Sequence, residues 1–127
     1  MAAIASAVTL KDQIQKAITA HGVYKVRFVF LVETGSNDMP AAAASSDLRC
    51  PIGEWLYNGL TAEDRAGTHY KTVKELHAAF HRACGEVMAI SLAHKRTEAL
   101  EAMGMGSTFK ATSSKLVTAL SGWHDSL

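Results

Sequence analysis

The strongest constraint on the fold is a run of core-facing positions near the N-terminus that repeats with the period of an α-helix. These positions are separated alternately by four and three residues, which places them along one side of a helix. They are Leu10, Ile14, Ala17, His21, Tyr24, Phe28 and Leu31. The spacing predicts one helix over residues 10–33, ending before the glycine and polar residues at 35–37.

The remainder of the chain also has helical spacing, interrupted by polar connections. The loop at 38–46 contains Pro40 and an alanine run and is expected to hold one short helical turn. No segment has the strict alternation of a half-buried strand, so we predict an all-α fold, an antiparallel four-helix bundle. The further predicted helices cover about residues 51–58, 69–92 and 96–123, the last weakened and expected to bend at 104–108.

Composition narrows the classes of function. The chain has 127 residues, the size of one domain, and a formal net charge of +1, with acidic and basic residues nearly balanced. A nucleic-acid partner is therefore not expected, because phosphate recognition usually needs a basic surface. No stretch has the length and apolarity of a membrane span or a signal peptide. Two cysteines are too few for a disulfide scaffold, so a cytoplasmic protein is expected.

Three of the six histidines lie on or beside core-facing sides of predicted helices. A single buried histidine is more simply a core residue whose ring nitrogens are hydrogen-bonded. His77 and His81, however, are four residues apart, so both rings project from one helix face and can converge on one metal ion. The residue after His77 is Ala78, and zinc proteases have a glutamate there, so the pattern gives no support to hydrolysis.

Cys50 immediately precedes Pro51, at the expected N-terminus of the second helix. Unpaired N–H groups and the helix dipole stabilise a thiolate at such a position, and a thiolate is the form that binds zinc. The simpler interpretation of an isolated cysteine is a small apolar side chain beneath a loop. Spacing alone does not decide between these two interpretations.

Residues 50–55, with the sequence Cys-Pro-Ile-Gly-Glu-Trp, resemble the motif of the chemoreceptor zinc-binding domain, or CZB, family. That family has a histidine in its first helix, then Cys-x-hydrophobic-Gly-x-aromatic, then His-x3-His in its third helix. The matching residues here are His21, then Cys50, Ile52, Gly53 and Trp55, then His77 and His81. The resemblance covers about residues 10–125 within a single domain at 1–127.

The resemblance implies a four-helix bundle whose core holds one Zn²⁺ through His21, Cys50, His77 and His81. Four nitrogen and sulfur ligands close a tetrahedral site, leaving no position for water or substrate. The chain is accordingly expected not to be an enzyme. Three neutral imidazoles, one thiolate and Zn²⁺ together carry a net positive charge, which Asp47 or Glu54 could balance from outside the ligand shell.

The resemblance further implies a regulatory role in bacterial signalling, in chemotaxis or cyclic-dinucleotide pathways. The sensed input would be zinc itself or an oxidant that reacts with the Cys50 thiolate. The readout would be a signalling protein or a second copy of the chain. Two other classes remain open: a structural bundle that zinc only stabilises, and a metal-dependent enzyme or haem protein with an open coordination position.

Cys84 is the second cysteine and lies on the same predicted helix face as His77 and His81. It could compete as a ligand or form a disulfide with Cys50 after oxidation. A core cysteine without chemistry is the simpler interpretation.

Overall fold

The computed structural model describes residues 9–35, 41–46 and 50–127, and within these ranges the chain is all helical. Three long helices, α1, α5 and α7, contact one another, and shorter segments complete the described part of the fold. The elements are α1 (Leu10–Glu33), α2 (Ala41–Ser45), α3 (Pro51–Glu54) continuing into a π-helical turn (Trp55–Gly59), α4 (Ala62–Arg65), α5 (Thr68–Leu92), α6 (Arg96–Glu101) and α7 (Thr108–Asp125).

The helices predicted from apolar spacing are present with nearly the expected bounds. Helix α1 begins where the side chain of Thr9 accepts a hydrogen bond from the backbone N–H of Asp12, which satisfies one of the free donors of the first turn. The short helix expected within 38–46 is α2, and the helix predicted from Pro51 is α3 with its π-helical turn. No helix in the described ranges combines the length and apolarity that crossing a membrane requires.

Two features differ from the sequence prediction. The polar segment after residue 60 contains α4, whose first turn is fixed by a reciprocal capping box between Thr61 and Asp64. The prediction of one bent helix over 96–123 is wrong, because the chain leaves the helix after Glu101 and begins α7 at Thr108. Gly106 has φ +80 in this break, a backbone conformation that favours glycine, and Ser107 then caps α7.

Buried apolar side chains form two separate clusters along the long helices. The first contains Ile14, Ala17, Ile52, Leu56, Leu60, Tyr70, Val73, Leu116, Leu120 and Trp123, together with Cys50. The second contains Phe28, Val32, Ala44, Phe80, Ala83, Cys84, Val87, Met88, Ala99 and Phe109. Burial of each large side chain contributes about 1.5–3 kcal/mol, so both clusters stabilise the packing of the helices.

The four buried polar residues of the described chain lie where one apolar cluster gives way to the other. They are His21, His77, His81 and Ser113. On α1 and α7 the order along the helix is unambiguous: His21 lies between Ala17 and Phe28, and Ser113 lies between Phe109 and Leu116. We call these four residues the polar layer, and it fixes where the chemistry of this fold can occur.

Candidate metal centre

Helix α5 contributes His77 and His81 to the polar layer. The two residues are one helical turn apart, and their ring centroids lie 4.6 Å from each other at an interplanar angle of 74°. Both side chains are almost completely buried, with relative exposures of 1% and 2%. Both rings therefore present their nitrogens inside the core, where a buried polar atom needs a partner.

Cys50 lies at the N-terminus of α3, as the sequence predicts. It is the N-cap residue, Pro51 occupies the first turn, and Sγ accepts a hydrogen bond from the backbone N–H of Gly53 at 3.3 Å. The small Gly53 is itself buried. A helix N-terminus and a donated N–H both favour negative charge on sulfur, so the local backbone promotes the thiolate.

The thiol sulfur and one imidazole nitrogen are in direct contact. Sγ of Cys50 lies 3.1 Å from Nε2 of His77, a separation at which one proton is shared between the two atoms. Cys50, His77 and His81 each offer one donor atom, and these atoms all lie within 4.8 Å of one another. A cation that replaced the shared proton could bind to the sulfur of Cys50 and to one nitrogen each of His77 and His81, all of them buried.

A backbone carbonyl orients His81. Nδ1 of His81 lies 3.0 Å from the carbonyl oxygen of Ala44 on α2. A carbonyl can only accept, so Nδ1–H donates and the lone pair of the neutral ring is on Nε2. Metal-ligating histidines are commonly held in this way, with one ring nitrogen bonded to an acceptor and the other directed at the ion.

His21 lies in the same layer but outside the group of three close donors. Its Nε2 lies 2.9 Å from the hydroxyl oxygen of Ser113 on α7, and its ring packs edge-on against Phe80 with centroids 4.7 Å apart. All four predicted ligands nevertheless line one cavity of about 270 Å³, with Tyr24 beside them. The structure therefore brings together three of the four residues and places His21 at the cavity wall.

The neutral form of His21 is strongly favoured. The pKa of His21 is lowered from 6.5 to about 4, chiefly by burial, with smaller contributions from the nearby Lys25 and His81. A neutral ring retains a lone pair for a metal ion at physiological pH. Because the ring is buried, protonation of His21 would destabilise the folded state.

Two hydrogen bonds between side chains and distant segments hold the Cys50 region against the long helices. The indole N–H of Trp55 donates to the side-chain oxygen of Gln13 on α1 at 2.9 Å. The hydroxyl of Tyr70 on α5 donates to the backbone carbonyl of Leu56 at 3.0 Å. The aromatic residue of the Cys-x-hydrophobic-Gly-x-aromatic motif thus ties the π-helical turn to α1.

The remaining candidates from the sequence lie elsewhere. Cys84 is buried in the second apolar cluster, and burial together with the nearby Cys50 raises the pKa of its thiol, which favours an unreactive S–H group. Its side chain also hydrogen-bonds that of Tyr24. Glu54 is exposed on α3. Asp47 lies outside the described residues.

The geometry therefore defines a helical protein with a buried cysteine and histidine centre suited to a metal ion. Sulfur and imidazole nitrogen are the donors that Zn²⁺ prefers, so the residues fit this ion. A family model of the chemoreceptor zinc-binding domain (CZB) matches residues 21–88, more than half of the chain. The chain belongs to this family. Comparison with curated proteins and with solved structures gave no match.

Sequence reasoning did not identify two contacts that shape the centre. Ser113 occupies a core-facing position of the last helix, and a hydroxyl at such a position signals a buried hydrogen-bond partner. The contact of His81 with Ala44 is made by a backbone carbonyl. Every residue has a backbone carbonyl, so no pattern of side chains in the sequence could have predicted this contact.

The pKa of His21 predicts a pH dependence of stability for the metal-free protein. The unfolded chain takes up a proton at this residue below about 6.5, and the folded chain does so only near 4. The contribution of neutral His21 to stability is therefore fully present above pH 6.5 and is lost as the pH falls through 4. The shift corresponds to about 3 kcal/mol in the free energy of unfolding.

Urea unfolding of the metal-free protein at several pH values measures this effect. His21→Gln should show a flatter dependence than the wild type across this window, because the titrating group is gone. His69→Gln, which alters an exposed histidine of α5, is the matched control and should keep the wild-type slope. Equal slopes for His21→Gln and the wild type would contradict the prediction.

Proposed function

We propose that this chain is a regulatory zinc-binding domain. The observation that carries the proposal is the buried group of three donors from Cys50, His77 and His81, in a chain that belongs to the CZB family. His21 is proposed as the fourth ligand, since it lines the same cavity and burial keeps its ring neutral. Glu54 and Asp47 stay proposals for charge balance outside the ligand shell.

Each proposed ligand has a distinct role. Cys50 supplies thiolate sulfur, which its position at the N-terminus of α3 promotes, and His77 gives up the proton that it shares with that sulfur. His81 supplies Nε2, because its other nitrogen donates to Ala44. When bound, Zn²⁺ would supply a tetrahedral link between α1, α3 and α5 and no catalytic function, because four protein donors fill its coordination.

The regulation follows from this link. Loss of the ion would remove a connection between three helices. An oxidant would act on the Cys50 thiolate: the sulfur loses two electrons to a peroxide, an S–O bond forms, the O–O bond breaks and water is released. Sulfenic acid is a weaker zinc ligand than thiolate, so either input would loosen the same helices.

The wider assignment belongs to the same proposal. We place the protein in the bacterial cytoplasm as one domain over residues 1–127, folded as an antiparallel four-helix bundle. It is proposed to be no enzyme and to pass its signal to a chemotaxis or cyclic-dinucleotide signalling protein, or to a second copy of itself. Contacts among α1, α5 and α7 are compatible with the bundle.

A structural role for the zinc is the alternative. It is favoured by the depth of the site, since all three close donors are buried and an ion there would be held within the core. Under this alternative zinc stabilises the fold, and the site answers neither to zinc concentration nor to oxidants. The two candidates differ in whether Cys50 reacts while the protein is folded.

Metal analysis tests the site itself. Wild-type protein purified without chelators should contain about one zinc per chain, as expected for a closed structural-type site. Cys50→Ser and His77→Ala should contain much less, because each loses a donor. His69→Ala changes an exposed histidine of the same helix as His77 and should retain the wild-type content. A wild-type content well under one zinc would contradict the proposed site.

Oxidation of the loaded protein separates sensing from a structural role. Treatment with hydrogen peroxide should release zinc from the wild type, and a chromophoric chelator measures the release. Cys84→Ser should release zinc at the wild-type rate, because the buried Cys84 thiol takes no part. Retention of zinc by wild-type protein under conditions that oxidise an exposed thiol would contradict oxidant sensing.

A further inference from the structure

A buried hydrogen bond joins the first and last long helices at the polar layer. Nε2 of His21 on α1 and the hydroxyl oxygen of Ser113 on α7 lie 2.9 Å apart, and each residue is 2% exposed. Above and below this contact the two helices meet through apolar side chains. The family match ends at residue 88, so the family motif does not account for Ser113.

The contact conflicts with metal binding by the same ring. Both ring nitrogens of His21 lie outside the group whose donor atoms are mutually within 4.8 Å, although the side chain lines the shared cavity. The ring as held by Ser113 therefore does not complete a four-ligand site. Completing the site requires the His21 side chain to shift, and coordination through Nε2 would exclude its hydrogen bond to the serine, because the same nitrogen serves both.

We propose that Ser113 and the metal ion compete for His21, so that metal binding exchanges the His21–Ser113 hydrogen bond for a bond to the ion. This inference rests on the proposed function, because it assumes that His21 is a ligand. It adds the output: filling the site releases α7 from α1 at the polar layer. The contact between α7 and α1 then depends on whether the metal site is filled.

The released serine has an alternative partner within its own helix. A serine hydroxyl in an α-helix can donate to the carbonyl oxygen four residues earlier, which for Ser113 is that of Phe109. The neighbouring Thr112 makes a bond of this kind to Thr108 at 2.8 Å. The Phe109 carbonyl oxygen also lies 3.2 Å from the hydroxyl of Thr112, so the two hydroxyls would share one acceptor. With this partner available, the energetic cost of the exchange is close to that of one ordinary hydrogen bond.

The proposed exchange is tested by whether the Ser113→Ala substitution raises or lowers the affinity for Zn²⁺. Zn²⁺ affinity of the full chain is measured by competition with a chromophoric chelator for wild type, Ser113→Ala and Ser114→Ala. Removing the competing hydroxyl should raise the affinity of Ser113→Ala about two- to tenfold, the equivalent of one hydrogen bond. Ser114 is exposed on the same helix, so Ser114→Ala should match the wild type.

The opposite sign would overturn the proposal. If the serine supports His21 in the metal-bound state, as partners outside the ligand shell often do, Ser113→Ala should lose about 10- to 100-fold in affinity. An unchanged affinity would also overturn it, because the serine would then be indifferent to the metal. Should metal-free Ser113→Ala unfold, zinc release from the loaded proteins replaces the competition. Slower release than wild type supports exchange, because no hydroxyl recaptures His21, and equal or faster release contradicts it.

A double-mutant cycle separates failure of this inference from failure of the proposed function. His21→Ala should bind zinc more weakly than wild type, and Ser113→Ala should change nothing further in that background. An effect of Ser113→Ala that persists without His21 would contradict the exchange while leaving the zinc site intact. Wild-type affinity in His21→Ala would instead show that His21 is no ligand, which removes the four-ligand site itself.

Discussion

The burial of imidazole between two apolar clusters is the interaction on which this structure depends. A ring nitrogen removed from water without a partner costs several kcal/mol, so a buried histidine needs a polar contact. Each histidine of the layer has such a contact at one ring nitrogen. His21 meets Ser113, His77 meets Cys50, and His81 meets the carbonyl of Ala44. These contacts come from α7, the N-terminus of α3 and α2, so each of these three segments is joined to the layer by a histidine.

Under the proposed function, this arrangement would let an otherwise ordinary helical core respond to a chemical input. The apolar clusters on either side hold the helices together without reference to the polar layer. Under the proposals made above, the layer would hold donors whose partners are exchanged: a shared proton for a metal ion at Cys50 and His77, and a hydroxyl for a metal ion at His21. The fold can therefore persist while its internal connections change, which is the physical requirement for a regulatory domain.

The sequence predicts the helices well where apolar spacing is long, as in α1 and α5, because a core-facing side imposes its period on the sequence. It fails between residues 101 and 108, where propensity suggests only a weakened helix. The helix ends at Glu101, and Gly106 adopts a φ of +80° in the connection before α7. The spacing of His77 and His81 predicts their convergence. The approach of Cys50 to His77 depends on tertiary packing, and only the family motif indicated it. The bond of His21 to Ser113 joins residues far apart in the sequence, and local sequence patterns cannot predict such a contact.

The most direct test of the account is X-ray absorption spectroscopy at the zinc edge on the loaded protein. Three imidazole ligands and one thiolate predict one sulfur at about 2.3 Å and three nitrogens at about 2.0–2.1 Å from the metal. Loss of the sulfur scatterer in Cys50→Ser would assign that ligand. A first shell without sulfur in the wild type, or one composed of oxygen atoms alone, would contradict the claim that the buried cysteine and histidines hold the ion.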